Sequence, residues 1–215
     1  MTLAPQDRTP ERRWTIEDYQ SLDDDERYEI LRGRLIMVPA PNPAHQRVIT
    51  RLGTLLDQYI FSNDLGVCFH APFDVYLSKD TVVQPDFTFV SNERVEDVID
   101  SRGAVEAPDL VIEVLSPSTA SRDRGIKRAI YASAGLPWLL LVDPEGLTVE
   151  VYHLNEDGEY IWVDSAVGTD TLTFALFPEL AIALSEVWPA EKLEELGFIS
   201  SPDNGETDGD QPAHD

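Results

Sequence analysis

Asp109-Leu110-Val111-Ile112-Glu113-Val114-Leu115 is an almost unbroken apolar run of strand length. Continuous apolar sequence without alternation is what a strand buried on both faces requires. The residues downstream agree: Ser116-Pro117-Ser118-Thr119 makes a turn with hydroxyls suited to capping, and a helical pattern extends over 120–134. It stops at Gly135 with Pro137 beyond, and residues 139–142 form a second buried strand. Strand, helix, strand is the signature of a mixed α/β fold. Glu113 is the exception inside the run, because a carboxylate in a buried strand is costly unless a metal or another cation offsets it.

Upstream, Thr15 to Asp18 approximates a capping box that opens a short helix to about residue 22. A hairpin comes next over 28–38, turning at Arg32-Gly33. Asn42-Pro43 starts a longer helix on which Val48, Ile49, Leu52, Leu55, Leu56, Tyr59 and Ile60 recur at helical spacing. Strands are expected at 67–77 and 82–90. Asp86 follows Pro85 and precedes Phe87-Thr88-Phe89-Val90, so it carries a second carboxylate into an apolar strand. Downstream, strands are expected at 147–154 and 159–163 around the turn 155–158, then one strand and a closing helix over 170–190.

Length and composition suit one domain, expected over 14–195, between polar tails at 1–13 and 201–215. The single cysteine, Cys68, allows no intramolecular disulfide and points to a reducing, cytoplasmic setting. No apolar stretch has the length of a membrane span, and the first residues lack a signal-peptide core. A formal net charge of −24 weighs against tight nucleic-acid binding. The charge is uneven, however: eight basic residues lie between Arg8 and Arg51 and four between Arg122 and Arg128. No Gly-rich phosphate loop ending in Lys-Ser or Lys-Thr occurs, and no Gly-x-Ser-x-Gly elbow.

Two strands that each deliver a carboxylate favour a hard cation, Mg²⁺ or Mn²⁺, over zinc, for which the chain has neither a Cys cluster nor HExxH. On the helix after Glu113, residues Asp123, Lys127 and Tyr131 lie four apart on one face. Taken without the neighbouring carboxylates, that face reads first as an ordinary amphipathic helix with an Asp–Lys pair.

Pro85-Asp86 followed by Glu113 in an apolar strand resembles the PD-(D/E)XK nuclease superfamily. More narrowly, Pro108 to Thr119, then Asp123, Lys127, Tyr131, Gly135 and Leu141-Val142-Asp143-Pro144 resemble the Uma2 family, with Tyr28-Glu29-Ile30, Gly33, His45 and Gln84-Pro85-Asp86 in step upstream. The resemblance covers about residues 14–190. It implies a restriction endonuclease-like three-layer α/β fold, a central mixed sheet flanked by helices with additional β-hairpins. It further implies a metal held by Asp86 and Glu113, with Glu29 completing the shell. The superfamily's lysine normally stands two residues after the Glu, where this chain has Leu115, and Lys127 is the implied substitute. Trp138-Leu139-Leu140 departs from the more polar stretch that the family pattern would place there. The function so implied is a divalent-metal-dependent endonuclease, with water activated at Asp86 and Glu113, Lys127 assisting and Tyr131 positioning. His45 is read either as a phosphate or acid–base contact or as a helix cap. The expected partner is nucleic acid, DNA more than RNA, with no membrane and with a homodimer suited to cutting both strands. A phosphohydrolase of RNA or small nucleotides and an inactive binding module of the same fold are the competing readings.

Overall fold

The computed structural model describes residues 12–23 and 25–200. The expected tails therefore lie, apart from Arg12 and Arg13, outside the described residues. Helix α1 (Ile16–Gln20) opens at the expected capping box, Thr15 and Asp18 each satisfying the other's backbone N–H. Strands β1 (Tyr28–Leu31) and β2 (Arg34–Met37) form the expected hairpin. Helix α2 (Pro43–Ser62) is capped by Asn42, whose side chain accepts from the His45 N–H. Then come β3 (Gly66–His70), β4 (Val75–Ser78), β5 (Thr81–Val83), β6 (Phe87–Ser91), α3 (Val95–Val98), β7 (Ile99–Asp100), β8 (Gly103–Ala104) and β9 (Leu110–Val114). The helical segment after β9 comprises α4 (Ala120–Arg122), a π-helical turn (Asp123–Lys127) and α5 (Arg128–Ser133). The chain finishes with β10 (Trp138–Asp143), β11 (Thr148–Leu154), β12 (Tyr160–Val167), β13 (Thr171–Phe174), β14 (Phe177–Ala183), a 3₁₀ turn (Leu184–Glu186) and α6 (Ala190–Glu195). Among the described residues no helix is long and apolar enough to cross a membrane.

The central sheet has the order β12-β11-β10-β9-β6-β3. Only β9 and β10 run parallel in it, as two strands joined by a helical crossover must. One face packs on α2 and on the β13–β14 hairpin, through Leu110, Ile112 and Val114 of β9 against Val48, Leu52 and Leu56. The opposite face, bearing Val111 and Leu115, packs on Ile130 and Tyr131 of α5 and on Leu31, Val75 and Val83 of a second six-stranded sheet. That sheet has the order β2-β1-β5-β4-β8-β7 and is larger than the additional hairpins expected. Side chains alternate across a strand, so Glu113 points with Val111 and Leu115 toward the second sheet and α5.

Four expectations need correction. The run 67–77 is two strands, with β3 in the central sheet and β4 in the second. The run 82–90 divides in the same way, because Gln84-Pro85-Asp86 carries the chain from β5 in one sheet to β6 in the other. Pro72 and Pro85 fall in these two connections, where the missing N–H costs no ladder hydrogen bond. The region 170–190 is a hairpin, β13 paired with β14, rather than one strand and a helix. The helix expected over 120–134 also has a changed hydrogen-bond register, since the Arg128 N–H bonds to the Asp123 carbonyl five residues back.

Candidate metal and phosphodiester site

Glu29 is on β1 of the second sheet, Glu113 is on β9 of the central sheet, and Asp86 lies on the connection between the two sheets. Phe87 is opposite Ile112 in the antiparallel β6–β9 register, which brings Asp86 alongside Glu113. The Val114 N–H donates to Asp86 Oδ2 at 2.7 Å and fixes that carboxylate against the end of β9. Glu29 Oε1 accepts from the Gln84 N–H at 2.9 Å, so the crossing segment is tied to the second sheet as well.

Lys127 rises from the π-helical turn into this group. Its Nζ lies 2.9 Å from Glu29 Oε1, 2.5 Å from Glu113 Oε1 and 3.9 Å from Asp123 Oδ1. Only 2 % of Lys127, 1 % of Glu29 and 4 % of Glu113 is exposed, so these charges are out of water and held by one another. Burial alone would depress the Lys127 ammonium, but Glu113, Glu29 and Asp123 together hold its pKa above the ordinary lysine range. Burial pushes the Glu113 carboxyl up to about 8 against the pull of Lys127, and burial likewise raises Asp123. The Tyr131 hydroxyl donates a very short hydrogen bond to Glu113 Oε1, and burial followed by Glu113 keeps that phenol protonated well above its usual range.

His45, in the first turn of α2, sets Nε2 3.1 Å from Asp86 Oδ2 and leaves a buried Nδ1 with no hydrogen-bond partner among the described residues. The capping reading of His45 is not what the structure shows, since Asn42 supplies the cap. All these groups except Tyr131 line one cleft of about 610 Å³, and Tyr131 stands behind Glu113. Other walls of the cleft come from Val38 to Gln46 and from Ser116 to Arg122.

Glu29 Oε2 is buried and has no hydrogen-bond partner among the described residues, which leaves an acceptor suited to a cation. Asp86 and Glu113 beside it are oxygen donors of the kind that Mg²⁺ and Mn²⁺ select, so the residues present fit such an ion. Among the described residues, no three His, Cys, Asp or Glu side chains already form a coordinating group. The Lys127 ammonium occupies the space between Glu29 and Glu113 instead.

A family model described as "Uma2: Putative restriction endonuclease" matches residues 16–185. The chain belongs to the Uma2 family. One relative, an uncharacterized protein of Synechocystis sp. called slr1290, is 29% identical over 140 residues, 63% of this chain and 70% of that one. A crystal structure from Anabaena variabilis, described as "a putative nuclease belonging to DUF820", superposes with a TM-score of 0.66 at 19% identity. It covers 84% of this chain and 99% of its own, a likeness of fold.

Within this Uma2 chain, the sequence reading gives no role to two of the cleft residues, Asp123 and Arg122. By spacing Asp123 is only part of a helix face, yet it is 3 % exposed and lies within the charge cluster. By composition Arg122 is only one member of a basic stretch. That stretch does not form a basic face: Arg124 pairs with Glu150 at 2.6 Å and Arg128 stacks over Tyr152. Of the four, Lys127 and Arg122 line the cleft, Lys127 buried among the carboxylates.

Proposed function

We propose that this Uma2 chain is a divalent-metal-dependent endonuclease that hydrolyses phosphodiester bonds of nucleic acid, DNA in preference to RNA. The observation that carries the reading is the cluster of buried carboxylates around one ammonium, contributed by both sheets and lying at the wall of an open cleft. The family's description as a restriction endonuclease supports a nuclease and favours DNA.

Asp86 and Glu113 would hold the cation, with Glu29 completing the set. When bound, Mg²⁺ or Mn²⁺ supplies charge to the phosphoryl oxygens and lowers the pKa of water. Val114 N–H and His45 Nε2 keep Asp86 oriented. Lys127 is held protonated by its carboxylate neighbours, so it serves as a hydrogen-bond donor and positive charge toward the developing phosphoryl charge, and not as a base. Tyr131 likewise keeps its proton and fixes the orientation of Glu113. His45 is placed to pass a proton through the Nδ1 that has no other partner among the described residues.

A net charge of −24, together with the engagement of Arg124 and Arg128 elsewhere, supports a second reading: a phosphohydrolase of RNA or small nucleotides. Salt dependence separates a long nucleic acid, which releases many counterions on binding, from a small nucleotide, which does not. Calorimetric titration of Mn²⁺ into wild type and Glu113→Gln, with supercoiled DNA digested in parallel, tests the proposal. Saturable binding and nicking that both disappear in the variant are expected. Metal-independent nicking, or nicking retained in Glu113→Gln, refutes the site.

A further inference from the structure

A cleft walled by Glu29, Asp86, Glu113 and Asp123 repels a phosphate unless some cation in it remains available. Lys127 faces Glu29 and Glu113 at 2.9 and 2.5 Å, so in the empty cleft its charge is already balanced by theirs. Arg27 directs Nε and Nη2 to Gln84 Oε1, at 3.0 and 2.9 Å. Arg122 differs from both. Its Nε is buried, has no hydrogen-bond partner among the described residues, and is 3.9 Å from Asp123 Oδ1, beyond hydrogen-bonding range. The guanidinium offers donors in a planar fork that matches two oxygens of a phosphate.

In the lining of the same cleft, the Ser116–Thr119 turn gathers three hydroxyls. Ser116 Oγ lies 3.0 Å from Ser118 Oγ and 3.0 Å from Thr119 Oγ1. The turn is tied down by the Ala120 N–H to the Ser116 carbonyl at 2.9 Å, and the Arg122 N–H bonds back to the Thr119 carbonyl at 2.8 Å. Hydroxyl protons rotate, so this group can turn donors toward an anion held by the arginine. A buried guanidinium nitrogen without an acceptor costs free energy in the empty cleft, and an anionic oxygen removes that cost.

We propose that Arg122, with the hydroxyls of Ser116 and Ser118, is a phosphate-binding subsite that takes a backbone phosphodiester of the substrate. The subsite rests on the nuclease reading for its substrate but not for its chemistry. It accounts for how a chain this acidic engages a polyanion: one forked donor acts locally, in place of a broad basic surface.

The test is a titration of metal-free full-length protein, in EDTA, with inorganic phosphate and then with the dinucleotide thymidylyl-thymidine. Binding is followed by NMR through the Arg122 Nε–Hε resonance and the backbone amides of 116–122. Saturable shifts with both probes are expected in wild type. Arg122→Gln should weaken both dissociation constants at least tenfold, Arg122→Lys by less, and Ser118→Ala about threefold. Shifts with inorganic phosphate but none with the dinucleotide would overturn the assignment to a backbone phosphodiester. No saturable shift, or unchanged affinity in a folded Arg122→Gln, would overturn the subsite. In the cleavage assay, Arg122→Gln should raise KM more than it lowers kcat, and an unchanged KM would again count against it. Phosphate binding that depends on Arg122 in a protein that cuts no nucleic acid would retain the subsite and remove the nuclease reading.

Discussion

Replacing Lys127 with Met removes the one cation that Glu29, Glu113 and Asp123 share, while keeping most of the side-chain volume. Removing one partner from a buried ion pair costs about 3–5 kcal/mol, because the remaining charge is left in a medium that cannot solvate it. For a chain of this size that corresponds to a fall in Tm of about 6–20 °C, at 2–4 °C per kcal/mol. The pH dependence has a definite sign. Burial already holds Glu113 above its ordinary value of 4.5, and loss of Lys127 moves it further up. A carboxyl raised in the folded state destabilises that state at pH above its folded pKa, and the penalty fades as pH falls toward the unfolded value. The deficit of Lys127→Met, measured by urea unfolding, should therefore be smaller at pH 5.5, where Glu113 is protonated in both proteins, and grow as pH rises through about 8 and beyond. Lys127→Met combined with Glu113→Gln should recover part of the loss. A variant within about 1 kcal/mol of wild type at pH 8.5, with no pH trend, would refute the view that the cluster depends on its lysine.

In the proposed site Mn²⁺ would be held by the ionised Glu113 carboxylate, whose pKa is pushed up to about 8, so affinity should rise with pH to about 8 and then level off. Calorimetry in two buffers of different ionisation enthalpy should detect the released proton, and no release would contradict the assignment. Tyr131→Phe removes the phenolic donor to Glu113 and should cost about 1.5–3 kcal/mol by urea unfolding, the range for a hydrogen bond to a charged group. An effect below about 0.5 kcal/mol would show that this bond does not orient Glu113. Burial raises the Cys68 thiol, so alkylation by iodoacetamide at pH 8 should be far slower in the folded protein than in urea. Equal rates would contradict it.

The sequence made α2 legible because its cap and its start coincide at Asn42-Pro43 and its apolar stripe is unbroken. It made β9 legible because an apolar run interrupted only by Glu113 has few alternatives. The second sheet was hidden for a physical reason: an apolar strand that changes sheets at a proline still reads as one strand, since both halves are buried. The same break is what places Asp86 between the sheets. The π-helical turn was also invisible, because it differs from an α-helix by one hydrogen-bond register and not by composition. Asp123 has the spacing of half of a surface ion pair, and only the packing of the π-helical turn buries it in the cleft wall. Arg122 cannot be told from Arg124 and Arg128 in sequence, because the distinction rests on which of them found partners.

The placement of the carboxylates across two sheets also governs when, during synthesis, the site can exist. Glu29 meets Lys127 across 98 residues of chain. Contacts of that separation close late, after the local hairpins and helices have formed. A ribosome that has released only the first hundred residues has made Glu29 and Asp86 but not Glu113 or Lys127. A fragment that folds one sheet without the other holds a single member of the pair on either side of the seam. The proposed hydrolytic site would thus be assembled only once both sheets and the π-helical turn are in place.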